Sequence, residues 1–172
     1  QDHRAGSDAG GTATTAVDKG DHWVLNGSKI FITHAGVGEI FVCTARSSPG
    51  KTSKGITAFI VTKDTVDLAA AAKHGIGHEP SLPKIKGVRA GKKEDKMGWR
   101  ASDTRELYFE DAAVPAENLL GTPGDGFVQF LKTLDSGRIG IAALSLGIAE
   151  GAYEEALKYA SMRKQFGRYI AA

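Results

Sequence analysis

The residues with most chemistry to offer lie near the C-terminal end. Arg163, Lys164, Gln165 and Phe166 set two cations, a carboxamide and an aromatic ring side by side in "MRKQFG". A guanidinium presents a planar fork of donors that matches phosphate or carboxylate oxygens bidentately. The stretch reads as the end of a long helix stopped by Gly167, where cations also suit the last carbonyls. Two readings stand: a solvated helix terminus, or part of a binding site whose other half lies outside this chain. Asp135 and Arg138, three apart, share a helix face, and read by themselves form an intrahelical ion pair. His74 and His78 have the i, i+4 spacing of metal ligands, but glycines separate them and no third ligand follows, so no metal site is expected. Cys43, in "EIFVCTA", reads as a buried strand residue rather than a reactive thiol.

These residues need elements to hold them. The chain has 172 residues, 41% apolar and 24% charged, with a net charge of +2 and one cysteine. That composition is globular; the charge is too small and too scattered for nucleic acid or an anionic membrane surface, and one cysteine excludes an internal disulfide. No apolar run approaches the roughly 20 residues of a membrane helix, and no targeting segment is visible at "QDHRAGSDAG". Up to about Gly121 the pattern is β: "GTATTAV", "EIFVCTA", "GITAFIVT" and "TRELYFED" read as strands, and "HWVLNGSKIFIT" as two runs joined by a hairpin at Asn26-Gly27. Short strands with turn signals between them predict an antiparallel barrel or sandwich. From Asp125, a plausible N-cap, the period becomes helical. Ile139, Ile141, Leu144, Leu146, Ile148, Tyr153 and Leu157 occupy nearly every face, as in a helix buried among others. The expectation is an α+β fragment: a β domain over 1–121, with 66–87 as a solvated insertion loop, and over 122–172 the first long helix of an incomplete four-helix bundle.

Six motifs in order, "AGSDAG", "NGSKIFIT", "KGITAFIV", "KKEDKMGWRASDTRELYFEDAAVPAENLLG", "LDSGRIGIAALSLGIAEGA" and "MRKQFG", resemble the acyl-CoA dehydrogenases, most nearly the short-chain, butyryl-CoA branch. The resemblance covers the chain apart from 66–87 and the first four residues. It implies an FAD flavoenzyme built from a helical domain, a middle β-barrel domain and a four-helix bundle. Such an enzyme dehydrogenates an acyl-CoA between Cα and Cβ, passing hydride to flavin N5, and an electron-transfer flavoprotein reoxidises it.

The resemblance also implies roles. Phe31, Ile32 and Thr33 stand on the flavin-edge strand, with Phe31 in place of the usual tryptophan and the Thr33 hydroxyl and N–H available to flavin N5 and O4. Arg163, Gln165 and Phe166 reach the FAD of a partner subunit in a homo-oligomer. Ser7, Ser53, Asp135 and Arg138 fall to the acyl-CoA. Gln1-Asp2-His3 departs from the family's Thr-Glu-Pro. No catalytic residue is expected within the chain: Gly137 stands where one branch carries its glutamate base, Glu150, Glu154 and Glu155 belong to the helix surface, and the short-chain base is expected beyond Ala172. A fragment lacking it should be inactive, and the abrupt ends and the 66–87 insertion suggest an incomplete or misassembled gene sequence. An acyl-CoA oxidase-like relative and a non-catalytic binding module are the alternatives. The implied compartment is the mitochondrial matrix for a eukaryotic source and the cytoplasm for a bacterial one.

Overall fold

Alternating β-branched and polar residues build strands, and the structure, a computed structural model, describes residues 2, 8–50, 52–63, 67–73, 75 and 83–171. The chain divides into two units, Gln1–Gln129 and Phe130–Ala172. In the first, the strands are β1 (Thr15–Asp18), β2 (His22–Thr33), β3 (Ile40–Arg46), β4 (Ile56–Thr62), β5 (Val88–Lys93), β6 (Thr104–Pro115) and β7 (Leu119–Leu120), with a short helix α1 (Leu68–Lys73) between β4 and β5. They form one sheet in the order β5-β6-β2-β1-β3-β4-β7. The expected barrel or sandwich is thus an open sheet. Its last strand, two residues long, offers too short an edge to close on β5, and β1 meets β3 through one parallel pair, Thr15 with Arg46. Sheet plus long helix is otherwise the organisation expected.

Alternate residues of the central strands make the core: Trp23 and Leu25, Cys43 and Ala45, Phe59 and Val61, Leu107 and Phe109. The Trp23 and Phe59 rings meet at 5.3 Å between centroids. Along β6 the buried positions jump from Leu107 and Phe109 to Ala112 and Val114, because the strand carries an extra residue opposite β2 between Leu25 and Gly27. Here the expected hairpin fails. Asn26-Gly27 lies inside a continuous β2, and its turn chemistry serves the bulge. Asn26 Nδ2 donates to Asp111 Oδ1 at 2.9 Å, and Asp111 N donates to Asn26 Oδ1 at 2.8 Å. Gly27 takes φ 138°, where a Cβ would lie 2.8 Å from Thr14 Cα. Burial pushes the Cys43 thiol up to about 12, as befits an inert core residue.

The described part of 66–87 is more than a solvated loop. Ile85 enters the core, and Gly87, at φ 82°, packs so tightly that a Cβ would collide with Glu110 O. Two polar clusters fix other connections. Arg46 donates to four carbonyls, Gly10 at 2.6 Å, Thr12 at 3.2 Å, Gly50 at 2.6 Å and Thr52 at 3.2 Å, tying two loops to the end of β3. Lys29 Nζ pairs with Asp2 Oδ1 at 3.0 Å, both buried, and the carboxylate also accepts from Thr14 Oγ1 at 2.6 Å and Ala13 N at 2.8 Å. Burial alone would raise the Asp2 pKa; the Lys29 charge and these donors outweigh it and hold the group below its ordinary value.

In the second unit the helix α2 (Gly126–Met162, whose first four residues belong to the first unit) exposes the apolar residues expected to be buried, Ile139 and Leu146 at 74% and 69% among them. Asp125 O accepts from Gln129 N at 3.1 Å, as an N-cap carbonyl does. The C-terminal boundary differs from expectation. The helix stops at Met162, and Lys164–Gln165 (β8) pairs with Arg168–Tyr169 (β9) around Phe166 and Gly167 at φ 51° and 81°. Successive positive φ values mark a type I′ hairpin turn, so Gly167 turns a ribbon instead of capping a helix. No helix among the described residues is long and apolar enough to cross a membrane.

Three outcomes follow. Lys29→Met leaves the buried Asp2 carboxylate unpaired and should cost about 3–5 kcal/mol in urea unfolding. Because the folded Asp2 pKa is depressed, its contribution is present above the ordinary aspartate value, about 4, and disappears as pH falls through the folded value. Asp2→Asn should therefore flatten the acid limb of stability against pH. Gly87→Ala should cost about 3 kcal/mol or more, since neither its φ nor the Glu110 backbone can yield cheaply.

Candidate functional site

The end of β2 is where regular strand geometry breaks. Between Lys29 and Ile32 the pairing with β6 slips by one residue, with the extra residue on β2, and Phe31 takes φ 55°. Bulges of this kind re-aim side chains. Here Ile32 packs against the core while Phe31 is 60% exposed and Thr33 is exposed. Thr33 still pairs with Thr104 of β6, but β1 accompanies β2 only as far as Asn26. Among the described residues the Thr33 hydroxyl has no hydrogen-bond partner. An aromatic plate beside an unspent hydroxyl on a rigid strand suits a planar, hydrogen-bonding ring system such as a flavin.

Ser53 opens a 3-10 turn (Ser53–Gly55) and is half-buried in the loop that Arg46 holds. Ser7 lies outside the described residues, as do His74 and His78; the same arginine holds Gly10 and Thr12 just downstream of Ser7. Sequence reasoning missed Arg46, since its four acceptors are backbone carbonyls on loops that no motif connects to it.

In the second unit Arg138 Nη1 donates to Asp135 Oδ1 at 2.8 Å, with both side chains exposed. Such a pair contributes about 0.3–0.5 kcal/mol, so its worth lies in presenting a charged, oriented guanidinium. Gly137 sits mid-helix with open space where a Cβ would stand, and Glu150, Glu154 and Glu155 are exposed on α2. Arg163, Gln165 and Phe166 come together in the hairpin. Phe166 is fully exposed at its turn, Gln165 Nε2 donates to Lys164 O at 2.7 Å, and Lys164 Nζ stands 4.6 Å from the Tyr169 ring centroid. Among the described residues the Arg163 guanidinium has no ion-pair or hydrogen-bond partner. Each unit thus presents its own set of unspent polar and aromatic groups. No cluster of three or more metal-ligating side chains occurs among the described residues.

The chain matches the acyl-CoA dehydrogenase middle domain over residues 2–112 and the acyl-CoA dehydrogenase C-terminal domain over residues 124–172. It is 51% identical over 166 residues to a short-chain specific acyl-CoA dehydrogenase of Clostridium acetobutylicum, spanning 96% of this chain and 38% of that protein. To CarC, a subunit of the caffeyl-CoA reductase–Etf complex of Acetobacterium woodii, it is 47% identical over 167 residues, 97% of this chain and 39% of that protein. Among solved structures, butyryl-CoA dehydrogenase from Megasphaera elsdenii shares 42% identity at a TM-score of 0.85, covering 99% of this chain and 40% of that one. An acyl-CoA dehydrogenase from Bacillus anthracis complexed with FAD shares 35% identity at a TM-score of 0.81, covering 99% and 26%. The chain spans about two fifths of the length of the curated relatives it matches. With two adjoining domains of one family matched in order over nearly its whole length, this chain belongs to the acyl-CoA dehydrogenases, and its relatives include the short-chain, butyryl-CoA members.

Proposed function

We propose that the chain is the flavin- and thioester-binding part of an FAD-dependent acyl-CoA dehydrogenase acting on short acyl chains. The observation that carries this reading is the bulged end of β2, where Phe31 and Thr33 face solvent from a strand that is otherwise locked into the sheet. The FAD-bound Bacillus anthracis relative supports the choice of cofactor. Bound FAD would supply a two-electron acceptor whose N5 takes the β hydride of the acyl thioester.

The chain's own residues do the holding. Thr33 would hold the flavin through its N–H and hydroxyl at the N5 and O4 edge. Phe31 covers the ring and excludes water from one face. Arg138, steadied by Asp135, offers an oriented guanidinium to the acyl-CoA. Ser53 and Ser7 contribute hydroxyls along the acyl-CoA. In a homo-oligomer Arg163 would hold the pyrophosphate of a second copy's cofactor, a task for which its fork of donors suits it, with Phe166 and Gln165 toward the adenosine. The electron acceptor implied is an electron-transfer flavoprotein, a reading supported by the Etf complex to which CarC belongs. The α-proton base is supplied from outside these residues.

FAD titration followed by flavin fluorescence tests this. Thr33→Val should weaken binding by about tenfold, the worth of one good hydrogen bond. Arg163→Lys, which keeps the charge and loses the fork, should weaken it by a similar factor. Affinity unchanged in both variants would overturn the placement of the cofactor. The 172-residue chain by itself should show no dye-linked turnover of butyryl-CoA, and turnover would place a base among these residues.

A further inference from the structure

Ile32 and Thr33 are bracketed by two non-glycine residues in the left-handed region, Phe31 at φ 55° and His34 at φ 62°. Backbone of this kind persists only where its surroundings over-determine it, and it gathers at functional sites. The surroundings here are charged and buried. Just before β6, Asp103 O accepts from His34 N at 2.6 Å and Asp103 Oδ2 accepts from Gly36 N at 2.7 Å. From the end of β4, Lys63 Nζ donates to the carbonyls of Ala35 at 2.5 Å and Gly36 at 2.6 Å. Lys63 is 1% exposed and Asp103 is 0% exposed. Arg105 stands behind the carboxylate, its Nε donating to Asp103 Oδ1 at 2.8 Å and its Nη2 to Asp67 Oδ2 at 2.9 Å. Its guanidinium lies so close to Gly36 that a Cβ there would collide with it.

We propose that Lys63 and Asp103 are positioning residues: two buried charges that grip the His34–Gly36 turn from opposite polarities and so hold Thr33 and Phe31 in the conformation that receives the flavin ring. This rests on the function proposed above. Burying an ammonium and a carboxylate is expensive, and apolar residues of like volume are often as good or better for stability alone. The charges instead give short, strong hydrogen bonds to main-chain groups, which lock a backbone geometry that side-chain packing cannot specify. One charge takes the turn's carbonyls and the other its N–H, so neither can do the other's task.

Hydrogen exchange read residue by residue on the protein without FAD, alongside FAD titration, tests the clamp. Lys63→Met and Asp103→Asn should speed exchange at the amides of Ile32 to Gly36 by about tenfold or more while the β3–β4 ladder at Val42 and Phe59 changes little. Both should weaken FAD by about tenfold, and adding Thr33→Val to either should cost less than it does in the parent chain, since the hydroxyl is already misplaced. Asp67→Asn, which removes the carboxylate paired with Arg105 and leaves Lys63 and Asp103 in place, should move both readouts the same way by less, and serves if the buried variants fail to fold. Exchange rising evenly across the sheet, or a local rise with unchanged FAD affinity, overturns the proposal. A parent chain that takes up no FAD sinks the flavin reading itself, while the exchange pattern still decides whether the two charges grip the turn.

Discussion

Charge taken out of water must be met on every side, and this sheet meets its buried charges at the two ends of one stretch of strand. Lys29 in β2 is held by Asp2 and, through it, by Thr14. Five residues on, the turn after Thr33 is held by Asp103 and Lys63. A slip of β2 by one residue would pull Lys29 off its carboxylate and send every other side chain to the wrong face. Only the bulge at Phe31 is left to absorb the mismatch between strand and turn. The exposed pair of Phe31 and Thr33 is therefore a part of β2 whose side chains the fold does not spend on itself.

Much of this was legible in the sequence. Four strands and the switch to helix near Asp125 follow from period, whereas Phe31 to Thr33, by themselves an ordinary run of core-strand residues, stand out only through the family resemblance. The misreadings share a cause. Positive φ is the common currency of hairpins, bulges and helix ends, so Asn26-Gly27 and Phe166-Gly167 announce that the chain departs from regular geometry without saying which departure it makes. At Asn26 the choice was made by Asp111, 85 positions away, and at Gly167 by the ladder of Lys164 with Tyr169. β5, "VRAGKK", has too few apolar residues to show a period, and β7 is too short to have one. The clamp was invisible because Lys63 and Asp103 are ordinary charged residues in polar company until the fold brings both to Gly36.

The long helix illustrates how composition and burial can disagree. Ile139, Ile141, Leu144 and Leu146 expose apolar surface on successive faces, and burying one such side chain is worth about 1.5–3 kcal/mol. A helix of 37 residues with this pattern is written for neighbours on several sides. The C-terminal domain match over residues 124–172, in a chain spanning about two fifths of its relatives' length, gives those neighbours a natural origin in the rest of a helical domain. It also explains why polar motifs on this helix, Asp135 and Arg138 above all, look under-employed when read by themselves.

The hairpin after the helix carries the same logic further. A two-stranded ribbon of two pairs is marginal in water, and this one adds a cation–π contact between Lys164 and Tyr169 and a hydrogen bond from Ile170 N to Arg163 O at 3.0 Å. A helix end would have turned the cations toward its own carbonyls. The type I′ turn instead leaves Phe166 fully exposed, and among the described residues the Arg163 guanidinium has no ion-pair or hydrogen-bond partner. A ribbon of four strand residues with so exposed an aromatic ring at its turn has little packing of its own to order it, and the cross-strand pair of Lys164 with Tyr169 carries most of what there is.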